Sequence, residues 1–520
     1  MTGIDSRKHR IVFLFSVALY LCGIPFCRPF MSIALILMTA NWLAEGNWKI
    51  KWDNIRHQPI LWAVWLLYSV HLAGLIHTVN WDYAVQDLTI KLPLLLVPLV
   101  FATTTPMTGK EWRGLLHIYL FAVCASALYG LIHFHLHSEL IDKRSLAVHI
   151  SYIRFELNLC FALFVTAYLW KQNRKKQLKP VYAAAAIWLC GITVYIGAMT
   201  AISMMICCAI VLLLVWAFRQ KAWYFRKLIP TTLLLLCLAA IAILLPYIRQ
   251  YTHTDFDFAT SEKQTANGNT YCNTLEKQQI ENGMYVYAYV CDKELQKEWE
   301  KRSELKYCNY ATDSSHCIRN GLIRYLNSKG LRKDSAGLSQ LQDEEITWIE
   351  NGIANVHYTS GNGFVVRFYE NMWEIITYLR CGEELGSVPQ RIEAWKASLI
   401  AIREHPFFGV GTGDVKDVFL QTLQQTNSPI EGRLVRSHNQ YLSFCMAFGL
   451  IGLILILFSL FYPQLAVRKK SLLYAIFSII FLVSMLTDDP LERQDGVSFF
   501  AVFNSLFLFL LPEEDVKPAE

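Results

Sequence analysis

Charge is scarce in this sequence. Only 17% of its 520 residues are charged, against 54% hydrophobic, and the mean hydropathy is +0.29. Soluble globular chains carry about 25% charged residues. The deficit excludes an ordinary soluble domain, and Leu-, Ile- and Phe-rich runs throughout point to a polytopic membrane protein. Among the 14 cysteines there is no C-x-x-C pair and no Cys/His zinc spacing, so no structural zinc site is expected. Cys22, Cys27, Cys124, Cys160, Cys190, Cys207, Cys208, Cys237 and Cys445 fall in apolar runs or at their ends, where cysteine behaves as a small hydrophobe. Cys272, Cys291, Cys308, Cys317 and Cys381 share one hydrophilic segment, and their odd number leaves one outside any set of disulfides. No internal repeat or low-complexity tract is visible. No cleavable signal peptide is expected, because the run after Arg10 is long and is followed at once by another. The net charge of +6 gives no nucleic-acid signal: the basic residues sit in short clusters between apolar runs, where topology signals belong.

The hydropathy predicts twelve spans, near 11–27, 29–45, 59–77, 91–105, 114–135, 149–170, 180–198, 201–218, 228–247, 437–462, 471–487 and 497–511. The fourth and twelfth are short. With the N-terminus inside, every basic cluster falls on one side: about 21 Lys and Arg inside against about 4 in the short outside loops. Both termini are then cytoplasmic. The expected fold is an all-α polytopic membrane protein in three parts: spans 1–9 over residues 1–247, an external domain over 248–436, and spans 10–12 with a short tail over 437–520. The external segment is too long for a structureless loop. CDKELQKEWEKRSELKY and LSQLQDEEITWIENGIANV read as helices with charged faces, YVYAYV and GFVVRFY as short strand-like pieces.

The polar residues that could carry chemistry gather at the outer ends of spans. In RLVRSHNQYLSFCMAFGLIGLILILF, Arg433, Arg436, His438 and Asn439 stand just ahead of a span. Guanidinium forks match phosphate oxygens, and an imidazole titrates near neutral pH and can act as general base. A structural histidine at a membrane edge is the alternative. In RIEAWKASLIAIREHPFFGVGTGD, Arg391 opens an amphipathic helix that ends near Pro406. Gly409, Gly411 and Gly413 follow; such a turn can cradle phosphate, but a plain helix-terminating loop is the expectation, since the spacing is not that of a phosphate loop. Arg154 and Lys91 are intramembrane cations, functional candidates by default. An ion pair with Glu156 or snorkelling to the interface would be the structural account of Arg154. The loop TDDPLERQDG carries Asp488, Asp489, Glu492 and Asp495; a solvated loop is expected there, with a base or a cation site the alternatives.

His438-Asn439, nine residues, then Gly449-Leu450-Ile451-Gly452 resembles the H-[NSQ]-x9-G-x-x-[GTY] pattern of bacterial O-antigen ligases. The segment from Arg391 to Asp414 resembles the one that precedes it in the O-antigen ligase and polymerase superfamily. The detailed likeness covers roughly 391–452, and the rest agrees in layout. The resemblance implies a glycosyltransferase of the inner membrane, working without metal or other cofactor at the periplasmic face. Its donor would be a glycan on undecaprenyl diphosphate and its acceptor a hydroxyl of the lipid A core, as in lipopolysaccharide biosynthesis; no nucleic acid is involved. Arg391 and His438 align with the family's essential arginine and histidine, leaving Arg154, Arg433, Arg436, Asn439 and Lys91 as substrate-binding candidates. One departure stands out. The family's second arginine, between spans seven and eight, is missing from GAMTAISMM around Thr200, and Arg154 is the candidate to replace it. A repeat polymerase and a protein O-oligosaccharyltransferase share this donor chemistry. A flippase is the rival of another class, disfavoured because the polar residues sit at span ends and no repeat is present.

Overall fold

The computed structural model describes residues 3–137, 143–173, 175–220, 222–257, 259–273, 279–307, 318–360, 362–382, 386–467 and 470–512. Cys308 and Cys317, and the basic residues Arg174, Lys221, Lys277, Arg468, Lys469 and Lys517, lie outside them. The chain forms two compact units, Met1–Val211 with Arg391–Glu520, and Leu212–Gln390. Packing thus groups residues 391–436 with the spans, whereas hydropathy alone put them with the external segment.

The first unit contains helices α1 (Gly3–Phe26), α2 (Arg28–Glu45), α3 (Trp48–Arg56), α4 (Pro59–Ala73), α5 (Trp81–Lys91), α6 (Pro93–Thr103), α7 (Gly109–Leu136), α8 (Tyr152–Gln172) and α9 (Lys179–Ile196), with most of α10 (Met199–Arg219). The second contains α11 (Trp223–Thr252), α12 (Asp292–Trp299), α13 (Arg319–Ser328), α14 (Ser335–Leu338), α15 (Asp343–Glu350) and α16 (Gly363–Cys381). The first then resumes with most of α17 (Ser387–Glu404), followed by α18 (Val415–Gln425), α19 (Gln440–Ala466), α20 (Leu472–Thr487) and α21 (Gln494–Phe509). Among the described residues, nine helical stretches are long and apolar enough to cross a membrane. They include Trp81–Thr103, which joins α5 to α6, and Gln440–Ala466. Helix α2 has 18 residues, and α20 and α21 have 16 each; these coincide with the remaining three of the twelve expected spans.

Local chemistry sets the helix ends. Thr108 and Glu111 form a reciprocal capping box at the start of α7, and Asn439 caps α19 by accepting from the Tyr441 and Leu442 N–H groups. The core between α8, α20 and α21 is aromatic: Phe161, Phe477, Phe499 and Phe503 pack at ring-centroid distances of 4.8–5.9 Å.

Among its described residues, the second unit is helical with one two-residue hairpin, Ile280–Glu281 against Met284–Tyr285. Its core gathers Tyr251, Trp299, Tyr307, Leu322, Leu326 and Trp373. Glu281, fully buried, accepts two hydrogen bonds from Arg324 at 2.8 and 2.9 Å and one from Asn355 at 2.7 Å. YVYAYV contributes only Tyr285 to a strand. GFVVRFY is not strand-like: it opens α16, capped by the Asn362 side chain, because the apolar stripe continues at helical spacing through Trp373, Ile376 and Thr377.

Helix α19 breaks at Gly449, which takes φ +63°. The break frees four backbone groups, and the turn 406–411 takes all of them. Val410 N–H donates to Met446 O at 3.0 Å and Gly411 N–H to Ala447 O at 2.9 Å. In return, Leu450 and Ile451 N–H donate to Pro406 O and Phe407 O at 2.8 and 3.3 Å. The glycine-rich turn is therefore a backbone partner for a broken span, which a bilayer requires. Its amides are spent on this and on Gly74 O and Thr78 Oγ1, so they do not form a phosphate cradle. Gly409 sits at φ +68°, where a Cβ would collide with the Ala447 carbonyl. Gly409→Ala is expected to cost more than the roughly 1–2 kcal/mol of a left-handed L-residue. A melting temperature lowered by several degrees in detergent would show it.

Candidate active site

The loop between α20 and α21 organises the site. It was expected to be solvated, but Asp488, Asp489 and Asp495 are only 2–4% exposed. Burying carboxylates requires partners. Arg154, in the first turn of α8, supplies one: its guanidinium pairs with Asp488 and donates to Asp489 O at 2.7 Å. This carboxylate comes from the far end of the chain rather than from the neighbouring Glu156, which accepts from Ala201 N–H at the start of α10. Asp489 accepts from Ser443 Oγ at 2.9 Å, from Ser437 Oγ at 3.3 Å and from the His438 N–H at 2.9 Å. Burial, then the neighbouring Glu492, raises the Asp489 pKa.

These contacts fix His438. Its backbone sits at φ +51°, a left-handed conformation that a non-glycine residue holds only when its surroundings impose it. Its Nδ1 lies 3.3 Å from Asp488 Oδ1. A carboxylate only accepts, so Nδ1 carries the hydrogen and Nε2 keeps a lone pair. The side chain is 28% exposed, so that lone pair is open to a substrate. Burial first, then Arg391, Arg154, Arg493 and Arg436, push the His438 pKa down to about 4. The imidazole is neutral at pH 7 and able to accept a proton.

A second charged layer lies behind the histidine turn. Lys91, fully buried, binds Asp87 at 2.5 Å and Glu492 at 3.1 Å. Glu492 accepts from Gln440 Nε2 at 2.8 Å, and its main-chain oxygen accepts from Arg436 at 3.0 Å. Burial works against ionisation of Glu492, but Lys91 and then Arg436 hold its carboxyl well below the usual range. His71, Tyr83, Lys91, Arg436, Ser443 and Glu492 line a cavity with space of about 20 Å³, room for one water.

Of the residues singled out in the sequence, His438, Arg154 and Arg436 are all tied to the loop 488–492, and Arg391 is among the charges that act on the His438 imidazole. Lys91 belongs to the layer behind it, held by two carboxylates. Asn439 caps α19 and donates to Leu486 O at 3.1 Å. Arg433 is exposed in the segment before the histidine. Sequence reasoning weighed Asp488, Asp489 and Glu492 only as members of an acidic loop, and missed Gln440, Tyr83 and Arg493. A usable signal was there: five charges in ten residues between two apolar runs, with Pro490 fixing the turn.

Lys91→Met would leave Asp87 and Glu492 buried without their cation. The expected loss is about 3–5 kcal/mol, read as a fall in melting temperature of the purified membrane protein; an unchanged value would contradict the burial of this pair.

A search of curated proteins gives no match. Residues 346–457, which include Arg391, the glycine-rich turn, His438 and the break at Gly449, match the sequence model of the O-antigen ligase family. The chain thus has the apolar helices of a multi-pass membrane protein, and its segment 346–457 is similar to the O-antigen ligase family, a likeness that supports glycan transfer of ligase or polymerase type.

Proposed function

We propose that this protein transfers a glycan from an undecaprenyl-diphosphate carrier to a hydroxyl of the lipid A core at the periplasmic face of the inner membrane. The observation that carries the reading is the state of His438: neutral, held at Nδ1 by Asp488, open at Nε2 and ringed by guanidiniums. In the reaction, Nε2 takes the proton of the acceptor hydroxyl as its oxygen attacks the anomeric carbon. The bond from that carbon to the diphosphate oxygen breaks, and the electron pair leaves with the carrier diphosphate. Guanidiniums, Arg391 first, stabilise the charge that develops there, so the step is routed through no metal. Arg433 and Arg436 would steer the anionic substrate toward the site. Arg154 would act through Asp488 by holding that carboxylate in place, and so would serve in place of an arginine near Thr200 by positioning rather than by phosphate contact.

His438→Ala is expected to lower transfer by about 10²–10⁴-fold while leaving donor translocation intact; loss of translocation would favour a flippase. Asp488→Asn should cost at least about tenfold, through the wrong imidazole tautomer. The pH dependence has a definite sign. With a depressed pKa, His438 stays unprotonated well below the ordinary value of about 6.5, so kcat/KM should hold level from pH 8 to about 5 and fall only near 4. An acid limb centred at 6.5 would contradict the guanidinium ring. The acceptor is read from a deletion strain on a lipopolysaccharide gel. Loss of all long-chain material from lipid A, with the lipid-linked polymer accumulating, marks a ligase. A core bearing a single repeat marks a polymerase.

A further inference from the structure

Below the break at Gly449, α19 is a short span. It runs from Leu450 to Ala466, about 25 Å at the helical rise, against a hydrocarbon core of about 30 Å. The shortfall is not met at the far end. There Lys470 folds back to donate to Gln464 O and Leu465 O at 2.9 and 2.8 Å, which puts an ammonium directly at the end of the helix. The bilayer must therefore thin at this span, or apolar side chains must continue its lipid-facing surface above the break.

Such side chains are present on two loops. Ile76 and Val79, at the end of the span Pro59–His77 and just beyond it, are 79 and 84% exposed. Phe407 and Phe408, in the segment that hydropathy reads as external, are 62 and 66% exposed. The loops adjoin: the His77 and Phe408 rings lie 6.5 Å apart, and Thr412 N–H donates to Gly74 O at 3.2 Å. Asp414 locks them together by accepting from the Val79 and Asn80 N–H groups at 2.8 Å each. Neither 74–81 nor 406–413 carries an acidic or basic charge; Asp82, Arg403 and Glu404 stand just outside them. Several large apolar side chains exposed together on fixed backbone mark an interaction surface.

The neighbouring surface identifies the partner. Ile451 N–H donates to Phe407 O at 3.3 Å and Leu450 N–H to Pro406 O at 2.8 Å, so the turn sits directly on the top of the short span. Leu450, Ile451 and Ile454, which follow, are exposed apolar residues of a membrane-crossing helix. The two loops extend that flank upward without an intervening charge.

We propose that Ile76, Val79, Phe407 and Phe408 are an apolar foot that inserts among phospholipid acyl chains, in the leaflet on the His438 side of the membrane. The foot makes up the length that the broken span lacks. The turn that carries it also donates from Val410 and Gly411 N–H to Met446 O and Ala447 O, in the helix segment that His438 precedes. Depth in the lipid and height of the histidine turn are thus set together, whatever reaction the site performs.

The test uses the full-length protein in nanodiscs of phosphatidylethanolamine and phosphatidylglycerol, with p-benzoylphenylalanine placed at one position at a time. Phe408 and Val79 report on the foot. Ile454, on the flank of the span, is the lipid-facing reference, and Gln425, exposed at the end of α18, the aqueous one. After irradiation, peptide mass spectrometry reads what each position has captured. Phospholipid adducts at Phe408 and Val79 are expected at the level seen for Ile454, and to be lost at Gln425. An adduct-free Phe408 or Val79 would overturn the foot. So would capture of a second copy of the chain there in place of lipid, or equal lipid capture at Gln425. These readouts need no turnover, so the glycan-transfer reading stands or falls separately.

Discussion

Two adjacent carboxylates buried at the end of a membrane span are the constraint on which the candidate site depends. An uncompensated buried charge costs several kcal/mol, so the chain must bring partners to Asp488 and Asp489. It does so from three places: Arg154 from α8, Ser437 and the His438 N–H from the segment before α19, and Ser443 from within it. The orientation of His438 is a by-product of satisfying that pair. A left-handed backbone costing about 1–2 kcal/mol persists because releasing it would strip an N–H from Asp489 and the imidazole from Asp488.

A division of labour among cations follows. Lys91 and Arg154 neutralise buried acids and have little left for a ligand. Arg436 is half in each world, bound to the Glu492 carbonyl yet adjacent to the imidazole. Burial first, and then the field of the arginines, keeps His438 unprotonated. A base surrounded by guanidiniums can be neutral at rest and still serve an anionic substrate, which neither a lone histidine nor a lone arginine pair would achieve.

Much of this was legible in the sequence, for a physical reason. Span positions depend on the apolar length of a local run, so nine of the twelve expected spans coincide with helices of sufficient length. The spacing from His438 to Gly449 and Gly452 is likewise local, and it carried the family resemblance. The burial of TDDPLERQDG was not legible, because the contact that buries it joins residues 335 apart in the chain. The glycine-rich turn failed in the same way: its amides are used by carbonyls freed in α19, and no local pattern announces a broken helix. GFVVRFY misled because two adjacent valines resemble a strand, while the evidence for a helix, the cap at Asn362 and the stripe to Thr377, lies on either side.

The break at Gly449 bears on how the protein is made. A span with four unpaired backbone groups is a poor occupant of a bilayer, each group costing several kcal/mol. Their only described partners are in the segment 406–411, some forty residues earlier in the chain. Synthesis runs from the N-terminus, so that segment has already emerged when α19 leaves the ribosome. Chain order thus lets the span be completed as it arrives, and a circular permutant that reversed the order would have to insert α19 with its backbone exposed to lipid.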